Sequence, residues 1–326
     1  MLKSQRTSKN RFNYFLQPGD LIDVIAPGSA TELEVLQQSV KQLESWGYKV
    51  RVSKNLLKPE LFLSNSDSFR AEDFKKALLA LDSKAIWCLR GGYGSIRLLP
   101  FLQKLKKPKH KKLFIGISDV CSLHLFLNQK WNWPTLHGPL VDRIGLNLLS
   151  DSNVTELKSI LTNQEHVILF DHLTPLNAAA LKTKNINAPV IGGNLMVTTS
   201  SLGTKNQITG SGRILFFEEL SERGYRIDRC LQQLKQAGVF DKAKAVVFGD
   251  FIKCEEPNGI DLSKPTLISF FKELKLPAFT GIQAGHSTLQ RPLFFNTSAK
   301  ISKSVIDKSQ FQMLVYSPDE ILKPRK

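Results

Sequence analysis

Cysteine is scarce in this chain. Its 326 residues hold four, Cys88, Cys121, Cys230 and Cys254, scattered with no CxxC and no Cys/His pairing at zinc spacing. That excludes a disulfide framework and a zinc finger, and it suits reduced thiols in a cytoplasm. Long apolar runs are lacking too. None approaches the roughly 20 residues that a membrane span needs. The polar, basic stretch 1–10 leads into no apolar core, so secretion is not expected. Internal repeats and low-complexity tracts are missing. The glycine-rich stretch 90–94 is not GxGxxG and holds no Gly-Lys-Ser/Thr, which argues against a nucleotide loop. No metal-ligand spacing offers a hydrolytic mechanism. Neither a metal nor a cofactor is expected.

What is abundant is positive charge, a formal +16. Such a balance can mark a nucleic-acid surface. Here Lys and Arg are spread along the whole chain, and only 104–112 forms a dense block, expected to be a solvated loop. No RNA-binding aromatic signature accompanies it. The charge therefore reads as solubility plus attraction for a small anionic substrate, with no nucleic-acid or membrane partner.

The length predicts two domains. Residues 1–18 read as a basic arm, 19–150 as a first α/β domain, 151–185 as a linker, and 186–326 as a second α/β domain. In the first domain, buried strands are expected over 21–26, 48–52, 85–89 and 113–117. Helices at 32–46 and 69–81, and others from about 96 and after 118, alternate with them. That alternation means an open, mostly parallel sheet with helices on both faces. The second domain shows strands over 213–217, 245–248 and 279–284 and helices over 226–236 and 266–274. Short strands are expected in the last forty residues, giving a mixed sheet.

Ligands of open parallel sheets gather at the carboxyl ends of the strands. Ser118 lies at one such end, where the strand 113–117 turns directly into a helix. A serine there has its hydroxyl pushed out of the sheet edge, and the unpaired N–H groups at the helix start point the same way. A simple helix cap is the plainer alternative. Gly91 and Gly92 follow another strand and allow close approach of backbone. Glu218 ends the strand 213–217, with Glu219 and Glu222 as competitors for any role. His286 follows Gly285, with His124 and His137 as rivals. A serine, a carboxylate and a histidine at strand ends are what acyl transfer through a serine requires.

Several segments resemble the LD-carboxypeptidase family of serine peptidases. They are Gly19 to Pro27, Leu89 to Gly94, Gly116-Ile-Ser-Asp119, His137-Gly-Pro139, Gly192 to Leu195, Glu218 with Tyr225 to Arg229, and Gly285-His286. That family includes muramoyltetrapeptide carboxypeptidases and microcin C self-immunity peptidases. The resemblance implies Ser118 as nucleophile, Glu218 and His286 as its partners, and an oxyanion hole from the N–H of Asp119 and of Gly91 or Gly92. It also implies a cytoplasmic homodimer that removes the terminal D-Ala from an anionic muropeptide in peptidoglycan recycling. A peptidase acting on a peptidyl nucleotide, or a non-catalytic binding protein, are the alternatives. Arg226 and Arg229 are candidate contacts for substrate carboxylates. The chain departs from the family at Cys121, where Thr is common, at Glu219 for Asp, at Gly224 for Pro, and at Phe294 for a glycine. Phe294 is expected to alter a pocket wall.

Overall fold

The structure is a computed structural model and describes residues 15–318. The expected basic arm, but for its last four residues, lies outside them. Among the described residues no helix is long and apolar enough to cross a membrane.

The first sheet is built from β1 (Leu21–Ile25), β2 (Lys49–Val52), β3 (Ser83–Cys88), β4 (Leu113–Gly116) and β5 (Thr135–His137). These five run parallel in the order β5-β4-β3-β1-β2. Strands buried on both faces read as continuous apolar runs, which is why β1, β3 and β4 stand out. Helix Leu33–Ser45 covers one face through Leu36, Ser39 and Leu43, and its chain reverses at Gly47, φ +90°. Helix Asp67–Leu79 covers the other, its start capped by the Ser66 hydroxyl, which accepts the Phe69 N–H at 3.3 Å. The basic block differs from a solvated loop at its end. Lys112 is buried, donates to Ala77 O at 2.5 Å and sits 3.6 Å from Asp23.

Among the described residues, the strands after β5, all but one, form a closed seven-stranded barrel. Its strands are β6 (Val167–Pro175), β7 (Asn185–Asn194), β8 (Ile214–Leu220), β9 (Ala245–Ile252), β10 (Ala278–Thr280), β12 (Ser298–Lys303) and β13 (Phe311–Tyr316), with β11 (Leu293–Phe295) left out. β7 to β10 include parallel pairs, and the rest pair antiparallel, so the sheet is mixed. The stretch 151–185 is not a bare linker. It carries helix Asp151–Leu161, β6 and helix Ala178–Leu181, and β6 closes the barrel between β13 and β10.

Two features join the halves. β11 returns to the first sheet and pairs antiparallel with β5, Phe294 opposite Leu136. Phe294 is 2% exposed in the shared core, so it packs between the halves and lines no open pocket wall. Helix Cys121–Trp131 is buried from Cys121 to Asn128, polar Ser122, His124 and Asn128 included, because it lies between them. Its Leu123 and Phe126 pack with the first sheet's outer layer, and its Leu125 with the barrel's.

Candidate active site

β4 ends at Gly116, Ile117 stays extended, and Ser118 then takes φ +67° before the helical turn Ser118–Val120. A left-handed serine costs about 1–3 kcal/mol, and such strain persists only where surroundings over-determine it. The surroundings here are specific. A Cβ placed on Gly91 would stand 2.8 Å from Ser118 Cβ and 3.1 Å from its Oγ, so the loop after β3 presses on the serine at a point where only glycine fits. Gly91 O accepts the Ser29 N–H at 2.9 Å, and Gly92, at φ +81°, lies exposed beside it.

Asp119 fastens this loop to the elbow. Its Oδ2 accepts the Ser95 N–H at 2.7 Å, and its carbonyl accepts the Ser95 hydroxyl at 2.5 Å. Burial raises its carboxyl pKa, against the opposing pull of the Ser95 and Gly94 donors and of Arg70. Arg70, buried, donates to Gly94 O at 3.0 Å and to Pro27 O, tying the loops after β1 and β3. A lone arginine within an amphipathic helix gave no sign of that role. The Asp119 side chain is thus taken up by the neighbouring loop, and its backbone N–H lies in the first turn of a helical segment.

Glu218, on β8, is fully buried, and its Oε2 accepts from His286 Nδ1 at 2.6 Å. The approach depends on Gly285, φ +143°, where a Cβ would lie 3.2 Å from both Glu218 Cβ and Oε2. The neighbouring loop is held by the Ser287 hydroxyl, which donates to Asp250 Oδ2 at 2.6 Å. Burial pulls the His286 pKa down, but the charge and hydrogen bond of Glu218, with the field of Glu219, outweigh it and leave it raised. With Nδ1 engaged, Nε2 is the nitrogen free to exchange a proton. Neither it nor Ser118 Oγ has a hydrogen bond among the described residues, so the two are not joined here. The elbow and the pair are nonetheless neighbours. Cys121 Sγ, one turn beyond Ser118, lies within 4.8 Å of a Glu218 carboxylate oxygen.

The competing residues have other employment. Glu219 accepts from Asn194 Nδ2 and the Met196 N–H, both at 2.8 Å, anchoring the helix Leu195–Thr199. Burial and the charge of Glu218 push its carboxyl up to about 7. Glu222, two residues before the helix Gly224–Gln236, pairs with that helix's Arg226. Arg229 stacks over the Tyr225 ring at 5.4 Å. His124 bridges Gly116 O at 2.8 Å and Thr135 Oγ1 at 2.7 Å, and burial lowers its pKa to about 4. His137 is fully buried and, among the described residues, has no hydrogen-bond partner on either ring nitrogen.

Arg143 escaped sequence reasoning. It follows the His137-Gly-Pro139 turn, and its charge opposes protonation of His286. Its Nε is buried with no hydrogen-bond partner among the described residues. One basic residue among 45 carried no distinguishing signal.

A strained serine at a strand-to-helix turn beside a buried carboxylate–imidazole pair is the architecture of a serine hydrolase. The match to known proteins narrows it. Residues 22–138 match the LD-carboxypeptidase N-terminal domain and residues 187–301 the LD-carboxypeptidase C-terminal domain. A protein of Rickettsia conorii, named for carboxypeptidase activity, is 37% identical over 87% of this chain and 88% of its own. The murein tetrapeptide carboxypeptidase of Pseudomonas aeruginosa is 28% identical over 87% of this chain and 94% of its own. The microcin C7 self-immunity protein MccF, solved in complex with aspartyl sulfamoyl adenosine, shares the fold. Its TM-score is 0.81 at 19% identity, over 95% of this chain and 99% of that one. The chain belongs to the LD-carboxypeptidase family, and it is a serine-type carboxypeptidase.

Proposed function

We propose that this carboxypeptidase removes the terminal D-alanine from a murein tetrapeptide. The bond cut is the amide between an L-configured centre, of diaminopimelate or lysine, and that alanine. The observation that carries the reading is the 2.6 Å contact of buried Glu218 with His286 Nδ1, set beside the left-handed Ser118.

In this mechanism residues 19–150 supply the nucleophile and 186–326 the acid–base pair. Ser118 Oγ attacks the carbonyl while His286 Nε2 takes its proton. Glu218 fixes the imidazole tautomer and favours the imidazolium that forms. The N–H of Asp119, with that of Gly91 or Gly92, receives the developing oxyanion, each donor worth roughly 10²–10³ in rate. His286 then protonates the leaving amine, and a water it deprotonates clears the acyl-enzyme. The hydrogen bond from Ser118 to His286 forms once substrate is bound, since such catalytic contacts are commonly long or unmade without it.

A carboxypeptidase must also recognise a free terminal carboxylate. Arg226 and Arg229 already hold Glu222 and the Tyr225 ring. Arg143, near His286 and with no hydrogen-bond partner on Nε among the described residues, is the better placed cation. The basic chain suits an anionic muropeptide. Action in the cytoplasm, in cell-wall recycling and as a homodimer belongs to the same proposal.

Purified protein incubated with a defined tetrapeptide, read by mass, is expected to yield the tripeptide and one alanine. Cleavage of a peptidyl nucleotide in place of the tetrapeptide would move the assignment to the immunity type.

A further inference from the structure

Behind the catalytic pair lies a cluster that the mechanism leaves unused. Cys121 Sγ, a ring nitrogen of His137 and a carboxylate oxygen of Glu218 all lie within 4.8 Å of one another, and all three residues are buried. They come from a helix start, the end of β5 and β8, so no sequence spacing could announce them. Glu218 Oε1 has no hydrogen-bond partner among the described residues, nor has either His137 nitrogen. Cys121 Sγ accepts one bond, from the Asn194 N–H at 3.3 Å. A buried polar atom left unpaired costs about 1–3 kcal/mol. His137 bears that cost while enclosed by the rings of Phe216 and Phe295, each about 5.2 Å away.

Thiolate, imidazole and carboxylate are the donor set of a borderline-soft divalent cation. From these observations we propose that Cys121, His137 and Glu218 form a binding site for Zn²⁺ or a similar ion, and that occupancy inhibits the peptidase. The charges balance: a thiolate and a carboxylate neutralise the dication, and the imidazole binds neutral. Binding breaks the Cys121 S–H bond, forms an S–metal bond and releases one proton to solvent. With ligand bonds of about 2.0–2.3 Å, donors sit about 3.3–3.8 Å apart in a tetrahedron. The cluster therefore contracts by about an ångström, with the fourth position left for water. The Asn194 N–H remains on sulfur as a supporting contact. A Cβ on Gly193 would stand 2.3 Å from Cys121 Sγ, so the barrel presses directly on this ligand. Glu218 Oε2 already holds His286. A cation on Oε1 competes with His286 Nδ1 for the same carboxylate, so the imidazole loses the contact that orients it.

Inhibition rests on Glu218 acting in catalysis, but binding does not, and the two are read separately. Metal-free protein is titrated with Zn²⁺ by calorimetry and with Co²⁺ by absorption, without substrate. The expected results are one equivalent bound, one proton released, and a thiolate-to-cobalt charge-transfer band. Cys121→Ser should remove the band and weaken binding by more than about 100-fold, beyond the cost of losing an outer contact. His137→Phe, which fills the aromatic cage without orphaned nitrogens, should abolish tight binding while leaving the fold intact by circular dichroism. An unchanged band in Cys121→Ser, binding that survives in both variants, or no binding in wild type would overturn the site. If Zn²⁺ binds there and peptide release is undiminished, the inhibitory half falls. A fall of tenfold or more that Cys121→Ser relieves supports it.

Discussion

The serine elbow and the carboxylate–imidazole pair are made in different ways. Ser118 is held by its own turn and by the adjacent loop, with Ser95 locking onto Asp119 across 24 residues. The contact of Glu218 with His286 spans 68 residues and exists only because β8 and β9 lie side by side, with the loop after β10 folding back over them. The elbow concentrates strain in one residue, which makes it local and rigid. The pair owes its properties to burial and charge, which makes it depend on barrel closure. A nucleophile can therefore be recognised from a few residues, whereas its base can be recognised only from the assembled fold.

Removing the proposed nucleophile is the largest test of this contrast. Ser118→Ala should lower kcat by about 10⁶, the scale seen when a serine nucleophile is lost, with circular dichroism unchanged because Ser118 Oγ makes no hydrogen bond among the described residues. Activity within tenfold of wild type would remove Ser118 from the chemistry. Next comes Glu218→Gln, expected to cost about 10⁴ in kcat, as when the orienting carboxylate of a triad is neutralised and the wrong tautomer results. A loss under tenfold would mean that the 2.6 Å contact is structural only.

A smaller effect separates binding from chemistry. Arg143→Gln should raise KM for a free-acid peptide, with kcat/KM falling about 10- to 100-fold, the worth of a charge-assisted hydrogen bond. Against a C-terminally amidated peptide, wild type and variant should behave alike. An equal loss on both substrates would assign Arg143 to packing.

Legibility in the sequence followed the same division. β1, β3 and β4 were readable because strands buried on both faces leave unbroken apolar runs. Ser118 and its turn could be located for the same reason. β6 was hidden: Val167–Pro175 alternates buried and exposed positions through Asp171 and His172, and its burial comes from barrel partners more than a hundred residues away. β5 and β11, three residues each, are too short for any period to show. Phe294 was misplaced on this account, since only the β5–β11 pairing puts it in the core. At the site, residue types alone left Glu218 and His286 among rivals (Glu219, Glu222, His124 and His137), and only the family resemblance paired them; their 2.6 Å contact needs the closed barrel.

The finest test uses pH, since it reads the barrel's half of the site directly. The His286 pKa is raised because burial is outweighed by Glu218, so the proposed base stays protonated to a higher pH than an unperturbed imidazole would. The acid limb of kcat/KM, which reports the free enzyme, should therefore lie higher than an unperturbed imidazole would put it. In Glu218→Gln the attracting charge is gone and burial prevails, so whatever activity remains should show its limb at lower pH. Stability runs the other way. A histidine whose folded pKa is raised contributes stability that is fully present below its unfolded pKa and is lost as pH rises through the folded one. The Tm advantage of wild type over Glu218→Gln should shrink across the same interval in which activity appears. If both limbs coincide and the Tm difference ignores pH, Glu218 does not set the charge of His286, and the pair would be no more than a buried hydrogen bond.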